Sequence, residues 1–398
     1  MDKIFTSGHN TKSSKLDIRV EYQPTNKGLE ITSNLNDSIL HEKVRRICQF
    51  FGVSTGKFEL YNNDAMDFTI YARLETVIKH GHPELSINYT PINNKTISYD
   101  SRNCRLQRTR MYVPGNQPEK IINSIKYSPD TIIFDLEDSV PEPEKDFARF
   151  LVRNALKELN FRGIRTALRI NTGNIGEIDL EQNIHQYVNI LVIPKVEDAS
   201  QIGNIEKKIV DISKTTENIN ELLISPTLES ARGIMNAFEI ANSSKRILTL
   251  SFGLEDYLLD IGAYRTDDGL ESIFARSMVV NAAKAAGMDA IDSVFPDLED
   301  EKSLRQSAQQ AKTLGFSGKG CIHPKQIDPI HEEFAPTIKE ICDAKEMIRT
   351  FDIAQKHGSG VATVSGKMID IPVFKKAERI LEIAILSDLI PKNWEEIE

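Results

Sequence analysis

The chain has 398 residues, of which 40% are hydrophobic and 27% are charged, and its formal net charge is −9. This size predicts a large core and more than one domain, and the acidic balance argues against a nucleic-acid surface, which needs clustered positive charge. No apolar stretch is long enough to cross a membrane, the N-terminus lacks the apolar segment of a signal peptide, and the scattered cysteines are typical of a cytoplasmic protein.

Residues 1–90 are predicted to form a small α+β domain, because alternating apolar patterns occur beside a helical one. The predicted elements are strands at 16–22 and 28–33 in a hairpin, a helix over 37–51, strands at 58–62 and 66–73 around a turn at 62–64, and a short helix from about Ala72. Residues 91–107 belong to a polar stretch rich in Asn, Ser and Thr without periodicity, which is the composition of a linker.

Residues 108–330 alternate between short apolar runs and amphipathic stretches with helical spacing. The predicted strands are 111–114, 131–138, 166–171, 189–194, 221–226, 247–253, 290–295 and 318–324. Strand–helix units repeated in this way predict a (β/α)₈ barrel of the α/β class rather than a doubly wound sheet. Residues 331–398 are predicted to form a C-terminal helical extension with a lid segment.

Three of the apolar runs end in carboxylates, in the segments 131–139, 222–230 and 248–257. Because the carboxyl ends of parallel barrel strands build the active site, we expect these acids to converge there. Carboxylates that leave open positions for water and substrate oxygens suit Mg²⁺, so the pattern indicates a magnesium site and an anionic substrate. For any single acid, the alternative is a position at a helix N-terminus, where the helix dipole stabilises it.

Two further residues at the strand ends are candidates for substrate contact. Arg169 alternates with Leu168 and Ile170 and therefore points to the opposite face of its strand. An arginine inside a strand is costly unless it meets an anion, so we expect Arg169 to bind substrate, with a structural ion pair to a nearby Asp as the alternative. His323, at the eighth strand, is expected either to contact the ligand or to be a structural loop residue.

Motifs with a family resemblance run in order from about residue 108 to 384. They are RMYVPGN, IIFDLEDSVP, KDFARFLV, LRIN, PTLESARGIMNA, SFGLEDYLLDIGAYRT, FARS, GKGCIHPKQI and VSGKMIDIP. This set resembles the citrate lyase β-subunit family, the citryl/malyl-CoA lyases. The resemblance implies a (β/α)₈ enzyme that uses Mg²⁺ to cleave a carbon–carbon bond in a β-hydroxyacyl thioester, citryl thioester giving oxaloacetate and an acetyl thioester.

The resemblance also implies roles for single residues. Glu229 and Asp256 resemble the family's Mg²⁺ ligands, and Arg169 resembles the arginine that meets the oxo-acid half of the substrate. Asp370 resembles the aspartate that a neighbouring subunit brings over the site as acid/base. The other matches are two acids that support the site, Glu137 and Asp138, and three positions near the thioester carrier, Arg108, Pro114 and Gly115.

The N-terminal domain resembles the acyl carrier γ-subunit of citrate lyase over about 80 residues. The matching segments are the Ser13-Ser14 pair, LDIRV, EKVRRI and NNDAMDFTIYARLE. This looser resemblance implies a fusion of carrier and β-subunit in one chain, with Ser14 as the attachment site of a phosphoribosyl-dephospho-CoA arm. Lys12 and Lys15 stand where the family has acidic residues, so two solvated, unmodified serines are the alternative.

Alternatives stay open for the activity and the assembly. The runner-up is a lyase for free malyl-, citramalyl- or citryl-CoA whose N-terminal domain is a degenerate carrier, and a non-catalytic assembly subunit is the third reading. An aspartate supplied by a neighbouring chain requires at least two chains, and the family resemblance implies a homo-oligomer, a trimer or hexamer. A separate citrate lyase α-subunit is a further expected partner, whereas nucleic acid and membrane are not.

Overall fold

The computed structural model describes residues 3–8, 15–35, 37–90, 106–185, 187–214, 222–364 and 366–397. Ser14 and residues 91–105 of the predicted linker lie outside these ranges. Among the described residues, no helix combines the length and the apolar character needed to cross a bilayer.

The N-terminal unit is a three-stranded antiparallel sheet with two helices packed on it. Its elements are β1 (Phe5–Ser7), β2 (Asp17–Ser33), α1 (Ser38–Phe51), β3 (Thr55–Asn63) and α2 (Asp67–Gly81). The predicted hairpin is wrong, because 16–22 and 28–33 pair with the same strand and belong to one long β2 whose register shifts between Gln23 and Gly28. The predicted helix over 37–51 is confirmed, and the carboxylate of Asp37 caps its first turn by accepting the N–H of Ile39 and Leu40.

The predicted strand at 66–73 is also wrong, because these residues form the first turns of α2. The helix is buried on two sides: Ile70 and Leu74 belong to the core of the N-terminal unit, whereas Phe68 and Ala72 belong to the core of the barrel. A helix that is covered on both sides buries residues all round, as α2 does from Phe68 to Ile78, and loses the one-sided periodicity by which a helix is recognised in sequence.

The predicted (β/α)₈ barrel is confirmed: eight parallel strands follow one another around a closed sheet, and the last pairs with the first. The strands are β4 (Thr109–Pro114), β5 (Thr131–Asp135), β6 (Arg165–Arg169), β7 (Ile190–Ile193), β8 (Leu223–Leu228), β9 (Thr249–Phe252), β10 (Asp289–Asp292) and β11 (Gly318–Cys321). The helices around them are α3 (Pro118–Ser124), α4 (Lys145–Glu158), α5 (Gly173–Asn183), α6 (Ala199–Ser213), α7 (Ala231–Met235), α8 (Ala237–Ala241), α9 (Leu254–Ile261), α10 (Ile273–Ala285), α11 (Glu301–Leu314) and α12 (Ile327–Phe334).

Side chains alternate between the two faces of each barrel strand. Ile132, Phe134 and Leu168 point outward into the large core between strands and helices, whereas Ile133 and Ala167 fill the interior. The same alternation turns the polar residues near the carboxyl ends of β5 and β6 inward, where they meet above the apolar interior layer.

The N-terminal unit docks on the barrel through α2 and α4. Arg153 of α4 and Glu75 of α2 form a buried ion pair with 2.5 Å between Nη2 and Oε2. At the other end of the contact, Arg73 lies over the ring of Phe147 and reaches the carboxylate of Glu144 at 3.4 Å. Apolar packing and ion pairs therefore hold the two parts together.

The C-terminal extension consists of a helical pair with a small hairpin. Its elements are α13 (Ile338–Lys356), β12 (Ala362–Val364), β13 (Lys367–Ile369), α14 (Ile371–Leu386) and α15 (Trp394–Ile397). The helices share a core around Ile341, Leu381 and Trp394, and the hairpin packs on Phe351.

Candidate active site

A cavity of about 900 Å³ opens at the carboxyl ends of the barrel strands. Asp135 and Arg169 line it together with Glu229, which follows β8, two strands beyond β6 in the barrel order. Asp17 of the N-terminal unit also contributes to the wall. Arg169 and Glu229, which the sequence places at strand ends, therefore lie on one face of the barrel, as predicted.

Arg169 is held in a fixed orientation by Asp135, its partner on the adjacent strand. Its Nε and Nη2 donate to the two carboxylate oxygens of Asp135 at 2.7 Å each, and its guanidinium lies 5.0 Å from the ring centre of Tyr112. Although burial opposes both charges, the paired hydrogen bonds hold the pKa of Arg169 above its ordinary value and that of Asp135 below. The guanidinium of Arg169 is therefore a permanent cation of the site. An ion pair to Asp135, the alternative to substrate binding that the sequence left open, holds one side of it.

The third nitrogen of Arg169 faces the two acids of the DLED motif. Its Nη1 lies 3.0 Å from Oε2 of Glu137, in an ion pair that is not aligned as a hydrogen bond, and donates to Asp138 at 3.2 Å. Asp138 lines the cavity, whereas Glu137 is buried behind it, and burial raises the pKa of the Glu137 carboxyl. Both acids contact Arg169, in agreement with the supporting role that the motif predicts.

Glu229 follows β8 and is buried against the next strand end. Its Oε1 accepts the N–H of Lys195 at 2.6 Å, while a Cβ placed on Gly253 would come within 2.3 Å of its Oε2. Glycine at position 253 is therefore what leaves room for the carboxylate. The pKa of Glu229 is raised to about 7, mainly by burial. The hydrogen bond from the Lys195 N–H lowers this pKa, and the negative charges of Asp256 and Glu137 contribute to raising it.

Asp256 lies in the first turn of α9 and lines the same cavity. The ammonium group of Lys195 lies 4.0 Å from Oδ1 of Asp256 and 3.3 Å from Oε1 of Glu137. Together with its backbone bond to Glu229, Lys195 therefore connects three carboxylates.

These carboxylates form a donor set suited to a hard divalent cation. The ionised form of Glu229 lacks a full counter-charge, since its pKa lies well above that of an ordinary carboxyl, and a cation would supply that charge. Within the described ranges, no three His, Cys, Asp or Glu side chains form a complete metal cage. Two carboxylates completed by water and substrate oxygens are the arrangement that Mg²⁺ accepts.

The turn after β4 brings backbone close to the ligand space. Pro114 lines the cavity, and Gly115 donates its N–H to the carbonyl of Asp135 at 2.8 Å. A Cβ on Gly115 would lie 2.8 Å from that oxygen, so only glycine fits there. His323 also lines the cavity, and its Nδ1 accepts the N–H of Lys325 at 3.1 Å, which fixes the ring at the start of a short turn.

Arg108 and Asp370 are not brought to this cavity. Arg108 precedes β4 and therefore lies at the opposite end of the barrel, where Asp130 accepts hydrogen bonds from its Nε at 3.1 Å and its Nη2 at 2.9 Å. Asp370 caps α14 by accepting the N–H of Val373 at 3.1 Å, and it is not among the described residues that line the cavity. Ser14 lies outside the described residues.

Sequence reasoning missed Asp135, Tyr112 and the contacts of Lys195. Asp135 ends the apolar run of β5 and reads as part of the strand body. The period of two along the strand places it on the same face as Ile133, and this is the signal that would have found it. The left-handed conformation of Lys195, with φ of 52°, has no signal in the sequence.

A closed parallel barrel whose carboxyl ends carry an anchored guanidinium and a carboxylate cluster defines a TIM-barrel enzyme. Residues 108–324, more than half of the chain, match the family described as HpcH/HpaI aldolase/citrate lyase. The chain belongs to this family.

Individual relatives agree with this assignment. The chain is 36% identical to the citrate lyase subunit beta of Leuconostoc mesenteroides subsp. cremoris over 74% of this chain and 99% of the relative. It is 33% identical to the mitochondrial citramalyl-CoA lyase of Mus musculus over 70% of this chain and 86% of the relative. The crystal structure of CitE from Mycobacterium tuberculosis with magnesium, acetoacetate and coenzyme A superposes with a TM-score of 0.58 and 27% identity, covering 71% of this chain and 99% of that one. The protein is therefore a lyase.

Proposed function

We propose that the protein is a Mg²⁺-dependent lyase that cleaves citryl thioester into oxaloacetate and an acetyl thioester. The observation that carries the proposal is the placement of a buried carboxylate, Glu229, and an anchored guanidinium, Arg169, on the wall of one cavity. A carboxylate cluster suits a divalent cation, and a guanidinium suits a carboxylate of the substrate. The names of the relatives support this substrate class, since they include citrate lyase and citramalyl-CoA lyase.

Glu229 and Asp256 are the residues that would hold Mg²⁺. When bound, the ion polarises the hydroxyl oxygen that becomes the ketone of oxaloacetate. Gly253 leaves Oε2 of Glu229 unobstructed, and the Lys195 N–H fixes the other oxygen, so the chain presents this ligand in one orientation.

Arg169 provides the positive charge for the oxo-acid half of the substrate. Its pairing with Asp135 leaves Nη1 directed toward Asp138 on the cavity wall, and the guanidinium stays charged at any working pH. Because charge–charge hydrogen bonds in a water-poor pocket are strong, Arg169 would stabilise negative charge as the carbon–carbon bond breaks. As the bond breaks, the hydroxyl proton passes to the acid/base residue, and the electron pair of the bond moves onto the acetyl thioester as an enolate, which takes up a proton.

Asp370 of a neighbouring copy is proposed to give that proton. Its absence from the described lining of its own cavity supports supply by another chain. Exposed apolar side chains also support a homo-oligomer, a trimer or hexamer: Met368 and Ile371 flank Asp370, while Leu259 and Tyr264 near the barrel rim are 81% and 88% exposed. Patches of this kind on one molecule are typical of contacts between subunits.

The N-terminal unit is proposed to carry the thioester on Ser14. Asp17, three residues further along the chain, lines the cavity that also contains Glu229. Because the N-terminal unit contributes this residue to the cavity wall, delivery of a thioester by the same unit is supported. A citrate lyase α-subunit is the proposed partner that exchanges the acyl group on this arm.

The alternative is a lyase for free citramalyl-, malyl- or citryl-CoA, which the similarity to the mouse enzyme supports. Intact mass of the chain purified from its own host separates the two, since a dephospho-CoA-derived adduct is expected only for the carrier form. An unmodified chain that turns over free CoA esters would establish the alternative.

The metal site is tested with Glu229→Gln, Asp370→Asn and a matched exposed control, Glu239→Gln on α8. We expect Glu229→Gln to weaken Mg²⁺ binding in calorimetry by at least about tenfold and to abolish turnover, because a carboxylate ligand is lost. Asp370→Asn should abolish turnover and keep Mg²⁺ binding, and the control should keep both. Unchanged Mg²⁺ binding in Glu229→Gln would contradict the proposed ligand set, and full activity of Asp370→Asn would contradict its acid/base role.

A further inference from the structure

Lys195 contacts three carboxylates of the site, although the proposed chemistry uses only its backbone N–H. Its N–H donates to Oε1 of Glu229 at 2.6 Å. Its ammonium group lies 3.3 Å from Glu137 and 4.0 Å from Asp256, and its side chain is 44% exposed at the rim. One residue therefore contacts both carboxylates proposed to hold the cation and a third acid beside them.

The backbone of Lys195 takes a conformation that serves this arrangement. Its φ of 52° is in the left-handed region, which a residue with a Cβ rarely adopts. In this conformation the N–H points to Glu229 while the side chain reaches Glu137, which belongs to a different strand end. Strain of this kind persists where surrounding contacts hold it, and here those contacts are carboxylates of the site.

We propose that Lys195 is a positioning residue that sets the divalent-cation affinity of Glu229 and Asp256. Its N–H fixes the Glu229 carboxylate, and its ammonium group is the counter-ion of the cluster until the cation binds. The inference rests on the magnesium site of the proposed function.

The Lys195 ammonium group lies closer to Glu137 than to Asp256, and this difference allows a cation to replace it beside Asp256. The contact of 4.0 Å to Asp256 is too long for a hydrogen bond, whereas Glu137 is within 3.3 Å. When a cation binds Asp256, the flexible and partly exposed lysine keeps its contact with Glu137 and moves away from Asp256. The ammonium group and the cation repel each other, so Lys195 lowers the affinity of the site and makes it depend on the charge of the incoming ion.

The experiment compares Mg²⁺ binding to the full-length wild type and to Lys195→Met, Lys195→Arg and Lys195→Gly by calorimetry, with Mn²⁺ binding by electron paramagnetic resonance as a second readout. The comparison is made at about pH 8.5, above the pKa of about 7 to which burial raises Glu229 in the wild type. Removing one positive charge beside the ligands should tighten binding about tenfold in Lys195→Met. Lys195→Arg should bind within about twofold of wild type, because the charge stays.

Lys195→Gly separates the side chain from the backbone, since glycine accepts the left-handed conformation and keeps the N–H. Lys195→Gly should bind Mg²⁺ more tightly than wild type, as is expected of Lys195→Met. If the Lys195→Met protein does not fold, Lys195→Gly takes its place in the comparison. The matched control is Lys208→Met, which removes an exposed ion pair to Glu177 on the outer helices and should leave Mg²⁺ binding unchanged. Binding that is unchanged or weaker in both Lys195→Met and Lys195→Gly would overturn the inference. A wild type that binds no Mg²⁺ would instead overturn the proposed metal site.

Discussion

Replacing Arg153 by methionine is expected to destabilise the folded chain by about 3 kcal/mol. Arg153 and Glu75 are buried where the N-terminal unit meets the barrel, with 2.5 Å between their charged atoms. Removing one member of a buried ion pair typically costs about 3–5 kcal/mol, because the other charge stays without its partner. Here Glu75 keeps a contact of 3.3 Å with Lys79 and accepts the N–H of Tyr89 at 3.2 Å, so we expect the lower end of that range.

The double variant Arg153→Met/Glu75→Leu distinguishes the charge from the packing. It removes both charges and keeps apolar volume, so it should be more stable than Arg153→Met alone, by about 2 kcal/mol. Urea unfolding followed by far-ultraviolet circular dichroism measures each free energy of unfolding. Arg46→Met is the matched control, because its pair with Glu42 is exposed and spans 3.4 Å, and it should change stability by no more than about 0.5 kcal/mol. A loss below about 1 kcal/mol in Arg153→Met, or losses that simply add in the double variant, would refute the reasoning.

Two further predictions concern His185 and Gly253. Burial lowers the pKa of His185 well below its ordinary value, so the unfolded chain takes up a proton as the pH falls below about 6.5 and the folded chain does not. The stability that His185 contributes is therefore present above about pH 6.5 and is lost as the pH falls below it. Melting temperatures of wild type and His185→Gln, measured between about pH 8 and 5, should converge as the pH falls. Parallel curves would contradict this. Gly253→Ala should weaken Mg²⁺ binding by at least about tenfold in calorimetry, because the added Cβ would lie 2.3 Å from Oε2 of Glu229. Gly203→Ala on α6, where a Cβ meets nothing within 4 Å, should leave binding unchanged, and equal affinity in both variants would contradict the role of Gly253.

The barrel could be predicted from the sequence because its strands are buried on both faces. Runs such as those of β5 and β7 are largely apolar, and helices such as α4 and α11 have a clear amphipathic period, so most element types and their order follow from pattern. The first turns of α2 could not be predicted in this way, since the barrel covers the face that would otherwise be polar. Its burial depends on a partner surface about 80 residues away in the chain, and no local pattern records that.

The candidate site, like the fold, could be predicted only where a local sequence pattern is sufficient. The inward direction of Arg169 follows from strand alternation and is confirmed, but its anchor Asp135 depends on the register between β5 and β6. The motif resemblance implies that Arg108 lies near the thioester carrier, whereas the structure pairs it with Asp130 just before β4, at the end of the barrel remote from the cavity. The role of Asp370 depends on a second chain and stays a prediction.

One loop contacts both the N-terminal unit and the guanidinium of Arg169. The segment between β5 and α4 carries Glu137 and Asp138, which contact Arg169, and it ends at Glu144, which contacts Arg73 of the N-terminal unit. Lys145 closes this loop by donating to the carbonyl of Glu137 at 2.7 Å. Because the loop is held at one end by the N-terminal unit and at the other by the strand that anchors Arg169, a displacement of α2 on α4 would reach the acids around the guanidinium. The contact between the two units is thus part of what orients the cavity wall.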